Sequence, residues 1–249
     1  MNDAFAKHGI GHLSPSALLD WRELPAFWVI KYLFGKKFDA GPRAWRGKAV
    51  EDAMTALLHG CPPQQALDIA YTTYNANAAG EISDDIEGQR AIIPGMVRQV
   101  QSALADQALD LVATQTKIEH WMDGISVPIV GYADYLFTES MMDLKTQEKM
   151  PPNGRAKPDH VRQVSVYWAA RQLPQTILYV TEKKFLPCPV TEDECRAALD
   201  DVRADALSLE AFLARADCAM DALHMLPLNC DHWKISDEVK TAHKELLGI

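Results

Sequence analysis

The stretch GYADYLFTESMMDLKT, residues 131–146, holds the side chains best suited to chemistry. Asp134 sits inside an apolar, strand-like run, and Asp143 and Lys145 lie two apart in the next one. Side chains alternate across a strand, so Asp143 and Lys145 share one face while Met142 and Leu144 take the other. A carboxylate and an ammonium group on so apolar a strand need partners, because unpaired charge is costly to bury. Two arrangements meet that demand. One is an ion pair at a strand end, with Asp134 as a turn or cap residue; the other is a metal site. Hard carboxylate oxygens suit Mg²⁺ or Mn²⁺ better than zinc. Such ions acidify bound water and neutralise charge developing on a phosphate, and a lysine beside them stabilises the same charge.

Further polar residues flank this window. Glu119 closes the preceding strand (TKIEHW), Glu51 lies on a helix reading RGKAVE, and Gln163 and Tyr167 are four apart on one face of a later helix. Taken in order, SPSALLDW, RGKAVED, E-x11-GYAD-x8-DLKT and Q-x3-Y resemble the PD-(D/E)XK nuclease superfamily. Within it, the series is most similar to the RecB-like branch that includes phage-encoded and CRISPR-associated exonucleases. The resemblance runs over residues 13–185. It implies an exonuclease that hydrolyses DNA phosphodiester bonds with one or two Mg²⁺ (or Mn²⁺) ions, in phage or bacterial recombination, repair or processing. It also implies roles for single residues. Asp134 and Asp143 would bind metal, the Leu144 carbonyl would add an oxygen ligand, and Lys145 would be the catalytic lysine. Gln163 and Tyr167 would help position that lysine and the DNA backbone. Glu51 stands where many relatives have histidine and others glutamate, either as a ligand or one shell behind, and Glu119 would lie outside the ligand set.

The same resemblance implies DNA as partner, leaves room for a single-strand annealing protein beside it, and admits a homo-oligomer, since some relatives close a ring. Iron–sulfur relatives carry a cysteine near the first helices. Here that region reads RELPAF, and Cys218 and Cys230 are too far apart for the usual cluster, so no iron–sulfur cluster is expected. Three rival functions remain, of which two keep the fold: a structure- or site-specific endonuclease, and a catalytically silent nucleic-acid-binding or assembly subunit. A phosphate hydrolase of another kind is the third, should the match be accidental.

These residues need elements to hold them. Ser14–Pro15 is an N-cap and first-turn pair opening a helix over 14–23. PAFWVIKYLFG is a second helix stopping near Gly35, and RAWRGKAVEDAMTALLHG a third, with Gly60 as its cap. Residues 63–110 continue as helices, interrupted near 75–83 and strained at Pro94. LVATQTKIEHWMDG and ISVPIVGYADYLFT, with Asp123–Gly124 between them, give a hairpin signal. SMMDLKT is a third strand, 158–173 a helix, TILYVTEKKFLP strand again, 191–216 a long amphipathic helix, and SDEVKTAHKELLG a last one. The expected fold is therefore α/β (α+β), a restriction-endonuclease-like core with a small mixed sheet flanked by helices, in a single domain over 1–249. Its helical N-terminal part would cover 13–110, the catalytic sheet 111–190 and the C-terminal helices 191–249.

Composition sets the outer bounds. The 249 residues are 48% hydrophobic and 24% charged, which excludes disordered and collagen-like classes. Five cysteines without a CxxC pair read as reduced thiols. No apolar run is long enough for a signal peptide or a membrane span, so a cytoplasmic location (bacterial cell or phage-infected host) and no membrane partner are expected. No GxxxxGK[ST] motif occurs, so no nucleotide cofactor is expected. A net charge of −9 argues against a simple nucleic-acid coat protein. Local patches still offer DNA contacts: Arg43, Arg46 and Lys48 before Glu51, then Lys149, Arg155, Lys157, His160 and Arg162 in a Pro/Gly-rich loop and the helix after it. Trp21, Phe27, Trp28 and Tyr32 recur at helical spacing and read as core.

Overall fold

The computed structural model describes residues 3–38, 40–105 and 109–249. Pro15 opens helix α2 (Pro15–Glu23) after a short α1 (Ala4–Lys7), and the Ser14 hydroxyl caps it by accepting from Ala17 N. Helix α3 (Pro25–Trp28) runs on as a π-helical turn over Val29–Leu33 and ends before Gly35, whose φ of 65° needs no side chain. Trp21, Phe27 and Trp28 are buried there, as their spacing predicts, and Tyr32 is half-buried. Helix α4 (Pro42–Leu58) carries Glu51. Its cap is His59, and Gly60, at φ 80°, is the left-handed residue one step later.

The next segment forms α5 (Pro63–Ala78), α6 (Ile86–Ala91) and α7 (Ile93–Leu104). Pro94 is not a point of strain. It occupies the first turn of α7, where its missing N–H has no intrahelical partner to lose. The helical reading of residues 106–108 lies outside the described residues.

Five strands make one mixed sheet in the order β1 (Leu111–His120), β2 (Ile129–Phe137), β3 (Met141–Thr146), β4 (Gln175–Val180), β5 (Phe185–Val190). Neighbours are antiparallel except β3 and β4, which are parallel and joined through α8 (Pro158–Arg171). The β1–β2 connection is an eight-residue loop over 121–128 rather than a tight Asp123–Gly124 hairpin, because Ile125 and Val127 turn inward and are buried. TILYVTEKKFLP is two strands, since Thr181 accepts from Lys184 N and closes a turn between β4 and β5. Helices α9 (Glu192–Leu213, with a Thr191/Glu194 capping box), α10 (Ala219–His224) and α11 (Asp237–Leu247) complete the chain.

Helices cover both faces of the sheet. Met142, Leu144, Leu178 and Val180 pack with Val50, Met54, Met96 and Val100 on one side. Ala133, Ile177 and Tyr179 pack with Leu18, Val164 and Tyr167 on the other. This is the mixed sheet between helices that the sequence implies. Among the described residues no helix is long and apolar enough to cross a membrane.

Arg162 belongs to this scaffold and not to a DNA surface. It is 5% exposed, its guanidinium pairs with Asp205 on α9, and Asp201 lies 3.6 Å away. Helix periodicity alone could not tell that α9 would cover it. Arg162→Ala should lower unfolding free energy by about 2 kcal/mol, since the half-buried Asp205 carboxylate loses its partner and, among the described residues, only Arg22, at 4.0 Å, remains near. Urea titration of the two proteins measures this, and equal stability would contradict the structural role.

Candidate active site

Strands β2 and β3 pair only at Tyr135–Met142 and Leu136–Met141, and no backbone pairing follows toward Asp134 and Asp143. The Asp134 side chain takes over there, its Oδ2 accepting from Leu144 N at 2.8 Å. A carboxylate thus stands in for a ladder carbonyl, and the sheet opens at this point.

Asp143 and Lys145 face α8, as strand alternation predicts. Lys145 Nζ lies 2.7 Å from Asp143 Oδ2 and donates to Gln163 Oε1 at 2.9 Å. Gln163 Nε2 in turn donates to Asp143 Oδ1 (3.1 Å) and to the Tyr167 hydroxyl (2.8 Å). Tyr167 donates onward to the carbonyl of Tyr132 at 2.9 Å. One glutamine therefore fixes the ion pair, and one buried tyrosine fixes the glutamine. Gly131 makes room for this, because a Cβ there would sit 2.7 Å from the Tyr167 ring.

Glu51 reaches the same place from α4. Its Oε1 accepts from Gln115 Nε2 at 2.6 Å, and the same amide donates to Asp134 Oδ1 at 3.1 Å. Tyr135 ties the two elements by donating to the Glu51 carbonyl at 2.9 Å. Sequence reasoning missed Gln115. It lies on β1 opposite Asp134 with φ of 48°, a left-handed backbone rare for any residue but glycine and one that recurs where function tolerates strain. A polar residue on an exposed strand position gives no signal by itself. Glu119 lies apart, paired with Lys117 at 3.3 Å and bonded to Trp121.

Electrostatically the site is short of positive charge. Burial first, then the charges of Asp143 and Glu51, push the Asp134 carboxyl up to about 7, against the pull of Lys145 and Leu144 N–H. Burial opposes the Lys145 ammonium, but Asp143 and Asp134 outweigh it and hold its pKa above the usual lysine value. Asp143 Oδ2 is buried and receives no aligned hydrogen bond. Among the described residues no three His, Cys, Asp or Glu side chains form a ready-made metal cage. The donors nevertheless suit a hard cation. They are the carboxylate oxygens of Glu51 and Asp134, which with Leu144 and Lys145 line a cleft of about 370 Å³, and those of Asp143, whose Oδ2 lies 2.7 Å from Lys145 Nζ.

No protein-family model and no curated protein matches this chain. Its fold is found elsewhere. A solved structure described as a "Putative exonuclease" from Eubacterium rectale superposes with a TM-score of 0.59, covering 96% of this chain and 90% of that one at 14% identity. A second, of SSO0001, overlaps 72% of this chain and 83% of that one at 13% identity, with a TM-score of 0.31 too low to bear on the fold.

The basic residues divide by environment. Arg46 is 3% exposed and donates to Gln89 Oε1 and to the Thr146 carbonyl, so it braces α4 against β3 and is not a free phosphate ligand. Lys48 is drawn to Glu51 (3.2 Å) and Asp52 (3.0 Å). Arg43 is exposed but meets Glu148 at 2.9 Å. His160 is bonded to Tyr179, and burial, then Lys145 and Lys157, press its pKa down to about 3, so it carries no charge at neutral pH. Tyr167 is 2% exposed and acts through Gln163. Arg155, Lys157 and Lys149 stay exposed.

Two outcomes test this geometry. Gly131→Ala should cost about 2 kcal/mol, since the added methyl displaces the Tyr167 ring; a urea midpoint equal to that of the parent would contradict the packing. Asp134 favours its protonated form when folded, so its contribution to stability is complete below pH 3.8 and lost as pH rises through about 7. Asp134→Asn, which keeps an acceptor for Leu144, should match the parent's melting temperature near pH 3.8 and exceed it increasingly toward pH 8 in metal-free buffer. A difference independent of pH would contradict the crowding.

Proposed function

We propose that this chain is a divalent-metal-dependent deoxyribonuclease that acts as an exonuclease. The observation that carries the reading is the convergence of Glu51, Asp134 and Asp143 with Lys145 at the opening between β2 and β3. The sharing of a fold with a protein named as an exonuclease supports it.

Asp134, Asp143, Glu51 and the Leu144 carbonyl are the groups that would hold Mg²⁺ or Mn²⁺. Bound there, the ion would lower the pKa of water and offset charge on the phosphate and the leaving oxygen. Lys145 stays protonated, because the carboxylates raise its pKa. It therefore serves as a donor to a phosphate oxygen or to the attacking water, not as the general base. Gln163 aims Lys145 through its carbonyl and is itself aimed by Tyr167. Gln115 holds Glu51 and Asp134 in one orientation through a single amide. Lys149, Arg155 and Lys157 supply backbone attraction against the net charge of −9.

End-labelled single- and double-stranded DNA, 5′ and 3′, incubated with and without Mg²⁺, tests the proposal. The parent should shorten linear DNA only with the ion and leave closed circles intact, while Asp143→Ala and Lys145→Ala should lose at least a thousandfold in rate yet keep a folded circular dichroism spectrum. Parent-like degradation by either variant would overturn the assignment, and cleavage of circles would replace the exonuclease by an endonuclease.

A further inference from the structure

Beside the carboxylate cleft lies a second of about 600 Å³, and Arg43, Ala44 and Thr146 line both. Its outer wall holds Lys149, Lys157 and Trp233. Trp233 comes from the segment between α10 and α11, which the nuclease motifs do not reach. Its side chain is 83% exposed, and single exposed apolar side chains are ordinary. What sets this one apart is how it is held. Lys234 next to it bonds Glu23 at 2.9 Å and Asp20 at 3.3 Å on α2, and Ile235 is buried at 5% exposure. On the other side His232 stacks on the indole at 5.7 Å between ring centres. The backbone is thus tied down on the core while the ring stays in water.

The charges around it favour an anion. Glu148 and Asp85 take up Arg43, but Lys149 and Lys157 have no ion-pair partner among the described residues. An aromatic face next to two unengaged cations is the pairing that binds a nucleotide, the base by stacking and the phosphate by charge.

Resting on the nuclease reading above, we propose that Trp233, Lys149 and Lys157 form a subsite for an unpaired nucleotide of the substrate strand, adjoining the carboxylate cleft. A base inside a duplex has both faces covered by its neighbours, so a lateral indole accepts one only where the strand is single or frayed. Stacking is indifferent to base identity, and the subsite should be too.

Fluorescence anisotropy with a labelled twelve-nucleotide dT strand and an abasic strand of equal length, in EDTA so that nothing is cleaved, tests this. The parent should bind dT about tenfold more tightly than the abasic strand. Trp233→Ala should bind dT no better than the abasic strand, with abasic binding unchanged, and Trp233→Phe should keep most of the difference. Parent-like dT binding by Trp233→Ala, an equal loss for both strands, or no binding of either strand by the parent would overturn the subsite. Because the readout is binding, Trp233-dependent preference for dT in a protein that cleaves nothing would sink the nuclease reading while leaving the subsite standing.

Discussion

Three carboxylates and one lysine share a mostly buried space, and the charges do not balance. Asp143 pairs with Lys145 and accepts from Gln163, but among the described residues Asp134 and Glu51 share only the neutral amide of Gln115 besides the Leu144 N–H and the contested Lys48. A fold selected for stability alone would place apolar side chains here, since buried ionic groups rarely repay their desolvation. The excess of negative charge is what a hard cation would relieve, and it is the constraint around which the neighbouring structure is organised.

That organisation is a matter of where the sheet stops pairing. β2 and β3 separate after two residue pairs, and the gap is filled by side chains from α4, α8, β1, β2 and β3. α4 brings Glu51 and is locked to β2 through Tyr135 and to β3 through Arg46. α8, the crossover that makes β3 and β4 parallel, brings Gln163 and Tyr167 over the same gap. The apolar residues between the polar ones, Met142 and Leu144 on β3, anchor the strand to the opposite layer. Strand alternation thus turns one short sequence, MMDLKT, into a core contact on one face and a charged site on the other.

Much of this was legible from residue order. Strand alternation put Asp143 and Lys145 on one face, and the resemblance to the nuclease motifs is what implied that Asp134 and Gln163 join them. The mixed sheet between helices followed from the same periods. Burial of particular cations was not legible, because it depends on partners remote in the chain: Arg46 meets Gln89, and Arg162 meets Asp205. Polar turn residues inside TILYVTEKKFLP hid the break between β4 and β5, and Pro94 looked disruptive only because the helix start at Ile93 is unmarked by a cap. Gln115 was invisible for a different reason. Its importance lies in a backbone angle and two distant acceptors, neither of which a residue type discloses.

The proposed cation site of Glu51, Asp134 and Asp143 is tested by metal uptake, without reference to any substrate. Titration of the protein with Mn²⁺, followed by the electron paramagnetic resonance signal of the free ion, should show saturable uptake by the parent and its loss in both Asp134→Asn and Asp143→Asn. Uptake unchanged in those variants, or none in the parent, would contradict the account.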